Sequence, residues 1–211
     1  MTSLESSFPG LWATPSTQLP YQGNVFVRSF ILERADGNVA IYNSPGLGAA
    51  AELGAVSRLL INHGHEEMYG DSGIDAEVWV HERDRREAAR TLTVAGVFTG
   101  RTMIGNDLEV IPTPGHTPGT TSYLWANEGH RFLFTGDFIW VEEGEWKAVV
   151  LGPSGRADYL DSLRLVRDLD FDVLVPWGTT VGDPYAVSAS RDQIRERIDA
   201  IIARVEAGGS R

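Results

Sequence analysis

Leu59-Leu60-Ile61-Asn62-His63-Gly64-His65-Glu66-Glu67-Met68 is the stretch on which the reading of this chain turns. Leu59, Leu60 and Ile61 form a short apolar run of the kind that makes a buried strand. The run ends at Asn62, and two histidines one residue apart follow where the strand opens into a loop. His-x-His at a strand end turns both imidazoles toward one space once the loop bends, which presents two metal ligands from one short segment. A pair of solvent-exposed loop histidines is the alternative, and the pair alone does not decide. The chain has only five histidines, so this stretch concentrates a scarce residue.

The 211 residues suit a single domain over 1–211. Hydrophobic residues make up 42%, enough for a sizeable core and too many for wholesale disorder. The net charge of -11 argues against nucleic acid and anionic membrane surfaces as partners, because no basic stripe is available to neutralise phosphates. A small-molecule substrate is the expected partner. The absence of cysteine removes disulfides, thiolate zinc sites and cysteine nucleophiles together. Any transition metal must then be held by imidazole and carboxylate.

Met1 to Gly10 has neither a basic n-region nor an apolar h-region, so no signal peptide is expected. No segment approaches the length of a membrane span, and the expected setting is cytoplasmic. Residues 1–23, with Pro15, Pro20 and Gly23, read as an irregular lead-in, and 208–211 as a frayed tail. Val25 to Glu33 and Val39 to Tyr42 read as the strands of a β-hairpin around Asp36-Gly37-Asn38. Ala49 to Leu53 reads as a short helix, Ala76 to Val80 as a strand and Glu82 to Arg90 as a charged helix. Residues 91–108 are rich in Gly and Thr and carry no clear period.

In the second half, Leu108 to Ile111, Thr120 to Trp125, Arg131 to Thr135 and Val173 to Val175 read as strands. Ala157 to Leu169 is amphipathic, with Leu160, Leu163 and Val166 on one helical face. Ser190 and Gln193 make a capping box ahead of the stripe Ile194, Ile198, Ile201 and Val205, which is core packing. Hairpins first and β-then-α units later suggest two mixed sheets with helices outside them, an α+β fold.

Two further segments carry chemistry. Pro112-Thr113-Pro114-Gly115-His116-Thr117-Pro118-Gly119 holds a histidine in a tight loop between two strands, stiffened by prolines and bent by glycines. Phe132-Leu133-Phe134-Thr135-Gly136-Asp137 is an apolar strand that ends in a carboxylate. Either could be a plain turn. Together with His63 and His65, the three strand ends supply every ligand type that a cysteine-free protein can offer a metal.

The order and spacing of these segments resemble the metallo-β-lactamase-fold superfamily of metallohydrolases. The residues that carry the resemblance are His63-Gly64-His65, Pro114-Gly115-His116-Thr117-Pro118-Gly119 and Thr135-Gly136-Asp137, within a likeness running from Val25 to Val173-Pro176. The resemblance implies a four-layer αββα sandwich with the metal site along one edge of two mixed sheets. It also implies that His63, His65 and His116 form the first metal site, with Asp137 as a bridging carboxylate.

Departures from the family pattern are as informative. The first family motif runs His-x-His-x-Asp-His, and its last two places here are Glu67 and Met68. The closing Gly-His of the family reads here as Pro176-Trp177-Gly178-Thr179, and no histidine follows His130. Methionine is a soft, weak substitute for imidazole on zinc. The expectation is one metal ion, not two.

Three imidazoles and a water make an open zinc site of the catalytic kind, in which Asp137 orients the water or completes the shell. Glu67 is the candidate general acid or base if it turns inward; a solvated carboxylate beside Glu66 is the alternative. His63, His116 and Asp137 would instead suit iron as a two-histidine, one-carboxylate set, similar to the persulfide dioxygenases of the superfamily. The reading that follows is a metal-dependent hydrolase of an ester, thioester or lactone, with an iron oxygenase-like enzyme or a catalytically impaired binding protein as alternatives. Trp140, Trp146 and Trp177 read either as ordinary packing, the better-supported reading for each, or as walls of an apolar substrate pocket, which the loops 91–107 and 138–152 would shape. His81 reads as an ordinary surface residue and His130 as structural or exposed. The acids Glu142, Glu143 and Glu145 read as a hairpin tip. Gly152-Pro153-Ser154-Gly155 lacks the lysine of a nucleotide-binding loop.

Overall fold

The computed structural model describes residues 3–152 and 155–209. In the first half the strands are β1 (Glu5–Phe8), β2 (Leu11–Ala13), β3 (Thr17–Leu19), β4 (Gln22–Val27), β5 (Phe30–Leu32), β6 (Asn38–Ile41), β7 (Val56–Leu60), β8 (Glu77–His81) and β9 (Val94–Phe98). Then come β10 (Thr102–Ile104), β11 (Leu108–Pro112), β12 (Thr121–Asn127), β13 (His130–Gly136), β14 (Trp140–Glu142), β15 (Glu145–Lys147), β16 (Val173–Pro176), β17 (Gly178–Thr180) and β18 (Val187–Ser188). The α-helices are α1 (Arg85–Ala88), α2 (Arg156–Asp168) and α3 (Arg191–Glu206). Short 3-10 helices cover Pro45–Leu53, Gly64–Tyr69 and Glu82–Asp84.

Seven strands form one sheet in the order β1-β2-β5-β6-β7-β8-β9, antiparallel as far as β6 and parallel from β6 to β9. The sequence suggested one partner sheet, and hydrogen bonding divides it into two. One has the order β10-β11-β12-β13-β16-β18 and the other β15-β14-β17-β4-β3. The strands β13 and β16 pair in parallel up to Gly136 and Pro176, and the chain then runs on into β14 and β17 of the smaller sheet.

Alternation along the strands builds the layers. Phe30, Leu32, Val39, Ile41 and Leu60 face a central core that they share with Val110, Tyr123, Trp125, Phe132 and Phe134. Their neighbours Ile31, Ala40, Leu59 and Ile61 face the other way, onto Leu47, Ala50 and Ala88. On the far side, Leu124, Leu133 and Leu174 pack beneath Leu163 and Val166 of α2 and Ile194, Ile198, Ile201 and Val205 of α3. The result is the expected mixed α+β sandwich. The Ser190 hydroxyl accepts from Gln193 N at 3.3 Å, and Ser190 N donates to Gln193 Oε1 at 2.9 Å, so the capping box that starts α3 is formed.

Several local expectations need correction. The lead-in is not irregular: β1, β2, β3 and the start of β4 occupy it. Val25 to Glu33 is not one strand, because the chain changes sheets at Arg28-Ser29. There Ser29 N turns to the Thr14 hydroxyl at 3.0 Å and the Ser29 hydroxyl to that of Ser44 at 2.8 Å, so the hairpin is β5–β6 alone. Residues 91–108 contain β9 and β10. The helix expected over Glu82 to Arg90 is a 3-10 turn followed by the single turn of α1. His81 is buried, not on the surface, and its Nδ1 accepts from Arg83 N at 3.2 Å to cap that turn. At the tail, the carbonyl of Gly209 accepts from Arg156 Nη1 at 3.0 Å, while Ser210 and Arg211, like Pro153 and Ser154 in the Gly152–Gly155 segment, lie outside the described residues. Among the described residues, no helix is long and apolar enough to cross a membrane.

Candidate metal centre

The site forms where β7 and β13 end and where β11 turns into β12. His63 leaves β7 with extended backbone and starts the 3-10 helix Gly64–Tyr69. That tight turn swings His65 back beside His63, with their ring centroids 5.3 Å apart. His116 comes from the β11–β12 loop and completes the triangle, 4.9 Å from His63 and 5.0 Å from His65. One nitrogen from each ring lies within 4.8 Å of the others. The closest approach is His65 Nδ1 to His116 Nε2, at 3.1 Å. Asp137, from the end of β13, brings Oδ2 to 3.7 Å from His63 Nε2 and 3.9 Å from His116 Nε2.

Hydrogen bonds on the outer side of the rings fix which nitrogen faces inward. His116 Nδ1 lies 2.8 Å from the Val149 carbonyl, an obligate acceptor, so Nδ1 carries the proton and Nε2 presents a lone pair. His63 Nδ1 lies 3.0 Å from Asn62 Oδ1 and 3.3 Å from Glu66 Oε1, which likewise leaves Nε2 as the lone-pair nitrogen. His63 Nε2 is buried and has no hydrogen-bond partner among the described residues. A buried imidazole nitrogen without a partner, turned toward two further imidazoles, fits a metal ion. As a donor set, three imidazoles with a nearby carboxylate suit zinc or iron equally well.

Charge follows from this geometry. For His63, burial works against protonation, but the bond to Glu66 and the charges of Asp137, Glu66 and Asp84 outweigh it and raise the pKa. Burial and the charge of His63 push His65 down to about 4, with Asp84 opposing. Burial, with His63 and His65 adding to it, holds His116 well below the usual histidine range. Two of the three rings are therefore kept neutral, the form in which imidazole binds a metal. Burial also pushes the Asp137 carboxyl up, with His63 pulling against the rise and Glu66 adding to it.

Buried acids lock the loops in place. Asp84 accepts from Gly64 N at 2.9 Å, from the Thr117 hydroxyl at 2.5 Å and from Gly119 N at 2.8 Å, and so ties the His63 loop to the His116 loop. Gly119 is needed there, since a Cβ would lie 2.5 Å from Asp84 Cγ. Glu66 accepts from Asn43 N at 2.7 Å, Asn62 N at 2.8 Å and His63 N at 3.2 Å. Tyr159 of α2 accepts from Val149 N at 3.0 Å and donates to the Phe138 carbonyl, which braces both the strap that holds His116 and the segment after Asp137.

Sequence reasoning missed both of these acids. Glu66 carried a usable signal, a Glu three residues after a helix N-cap, and its turn is a capping box with His63 as N-cap. Asp84 sits in a run of charges with no local mark.

His65, His116 and Asp137 open onto a cavity of about 610 Å³. Trp140 lines it. Trp177 does not: its indole packs 5.2 Å from the His63 ring, and its Nε1 donates to the Asn43 carbonyl at 3.0 Å, so it backs the site from inside the core. Glu67 also lies elsewhere, 3.5 Å from Arg90 Nη1, because the tight turn that sends Glu66 toward His63 sends the next side chain toward Arg90. The loop 91–107 contributes none of the lining residues, whereas Trp140, Glu142, Val149 and Leu151 come from 138–152. The remaining wall is Gly178 of β17 and the β3–β4 hairpin, through Leu19, Tyr21, Gln22, Asn24, Val25 and Val27. The hairpin's signal was the Pro20-to-Gly23 turn between two short runs, read above as irregular chain.

Residues 48–178 match the family described as the metallo-beta-lactamase superfamily. The chain belongs to that superfamily. Solved structures agree with this membership at the level of fold. A metallo-beta-lactamase from Hirschia baltica superposes with a TM-score of 0.67 at 17% identity, covering 94% of this chain and 96% of that one. A metallo-beta-lactamase family protein from Thermus thermophilus gives 0.63 at 21% identity, with coverage of 96% and 81%. A subclass B3 metallo-beta-lactamase from a soil metagenome library gives 0.65 at 14%, with coverage of 97% and 94%. No curated protein sequence matches the chain at a significant level.

Proposed function

We propose that this member of the superfamily is a mononuclear metal-dependent hydrolase of a small carbonyl substrate, an ester, thioester or lactone. The observation that carries the reading is the inward-facing nitrogens of His63, His65 and His116, with Asp137 beside them, at the wall of a cavity. In this reading the three histidines hold one zinc ion. Such an ion polarises a carbonyl and lowers the pKa of bound water to about 7.

The chain's own groups divide the remaining work. Asp137 is the candidate proton acceptor, supported by its distances to His63 and His116 and by a carboxyl that burial pushes up. Glu66 and the Val149 carbonyl fix the orientation and protonation of His63 and His116. Asp84 holds the two loops in register.

The positions where the family pattern puts its second-site ligands support a single ion. Glu67 is paired with Arg90, Met68 is exposed, and Gly178, next to Trp177, has no side chain to offer.

Iron is a second reading, favoured by the near-equal distances from Asp137 Oδ2 to His63 Nε2 and His116 Nε2, which would make a two-histidine, one-carboxylate set. Metal analysis of protein purified without added metal, combined with assays on a panel of esters, thioesters and lactones, separates the possibilities. Zinc with hydrolysis supports the proposal, and iron with oxygen uptake supports the alternative. A protein without metal that turns over nothing is a binding protein that has kept the fold.

A further inference from the structure

His65, His116 and Asp137 share the lining of the cavity with the apolar side chains of Leu19, Val25, Val27, Trp140, Val149 and Leu151. Away from Asp137 and the histidines the charged lining residue is Glu142, and among the described residues no lysine or arginine lines the cavity. The cation near Glu142 is Lys147, whose Nζ is 2.6 Å from Glu142 Oε2 and 3.8 Å from a Glu145 carboxylate oxygen, so two acids already neutralise it. Gln22 and Asn24 supply neutral amides to the same wall.

Away from the metal centre, a carboxylate or phosphate in this space would lose water, meet no lysine or arginine among the described lining residues and face Glu142. The chain's net charge of -11 also disfavours its approach. An uncharged hydrocarbon arm gains from burial against the same side chains. The volume of about 610 Å³ lies in the range of small-ligand sites.

We propose that the substrate of this site carries an uncharged, largely apolar arm, an acyl or alkyl ester, thioester or lactone, and that the walls discriminate against substrates whose arm ends in an anion. The inference rests on the hydrolase reading for the reacting end and on the lining alone for the arm.

Two measurements keep the parts distinct. The first is kcat/KM of the metal-loaded protein on 4-nitrophenyl hexanoate and on the mono-4-nitrophenyl ester of adipate, a matched pair that differs by a terminal carboxylate. The second is binding of the corresponding anilides to the metal-free protein, followed by NMR titration, which removes the charge of any ion. The neutral member should be preferred by about 10-fold or more in both experiments, and Glu142→Lys should narrow the gap. Glu142→Gln, which adds no charge, should narrow it less. Equal binding of the two anilides, or preference for the acid, overturns the inference. Preferential binding of the neutral anilide with no turnover of either ester leaves the arm assignment standing and removes the hydrolase reading.

Discussion

Glu66 Oε1 lies 3.3 Å from His63 Nδ1, and both side chains are fully buried. The carboxylate that serves the histidine cluster is therefore the one that closes the turn after β7. Its neighbour Glu67 turns away from the cluster and pairs with the exposed Arg90 at 3.5 Å. Glu66→Ala would strand the N–H groups of Asn43, Asn62 and His63, and we expect a loss of roughly 3 kcal/mol or more. Glu67→Ala should cost less, on the order of 1 kcal/mol, because its 3.5 Å partner Arg90 is exposed and, among the described residues, no backbone N–H bonds to its carboxylate. Urea denaturation of the two variants checks the contrast. Glu66→Gln, which keeps the shape, should weaken metal binding by about 10- to 100-fold while the fold holds.

Gly136 is fixed by its surroundings. Its φ is +58°, and a Cβ there would lie 1.8 Å from Asn62 Oδ1. Gly136→Ala should destabilise by roughly 3 kcal/mol or more, from overpacking added to left-handed backbone strain. It should also weaken metal binding, since Asn62 adjoins His63 and Gly136 precedes Asp137. Gly129 has a φ of +81° and nothing within 4 Å of its would-be Cβ, so for Gly129→Ala only the backbone term of about 1–2 kcal/mol applies. Equal melting temperatures for the two variants would contradict the close-packing account.

Far from the metal centre, Arg34 is buried and donates to the Asp107 carboxylate through Nε at 2.9 Å and Nη2 at 2.5 Å. Burial opposes ionisation of Asp107, but the bonds from Arg34 and Trp125 and the charge of Arg34 outweigh it and lower its pKa below 3.8. A carboxyl with a depressed folded pKa binds fewer protons folded than unfolded. Its contribution is thus complete above about pH 3.8 and lost as pH falls through the folded value. Asp107→Asn should flatten the acid limb of a stability-against-pH curve below about pH 4 and leave the slope near neutrality unchanged.

What the sequence revealed about this fold follows from the range of the interactions involved. The strands β11, β12 and β13 and the helices α2 and α3 are written in local apolar periods and one capping box, and they form close to where those signals lie. The segments that carry His63, His65, His116 and Asp137 were visible because each is a polar residue at the end of an apolar run. Other features depend on partners distant in the chain. Ser29 breaks β4 from β5 by bonding Thr14 and Ser44, and no local pattern marks that switch between sheets. Trp177 packs behind His63 because β16 delivers it into the core, and Asp84 is enlisted by backbone amides of two other loops. Glu66 and Glu67 are adjacent acids whose opposite fates depend on the tightness of a 3-10 turn that residue types alone do not specify.

The proposed site holds one metal ion per chain, on His63, His65 and His116. Metal content per folded chain, measured by elemental analysis on wild type, His116→Ala and Met68→Ala purified in parallel, tests it most directly. About one equivalent is expected in wild type and in Met68→Ala, and none in His116→Ala. Two tightly bound equivalents in wild type, or equal metal loss in both variants, would contradict it.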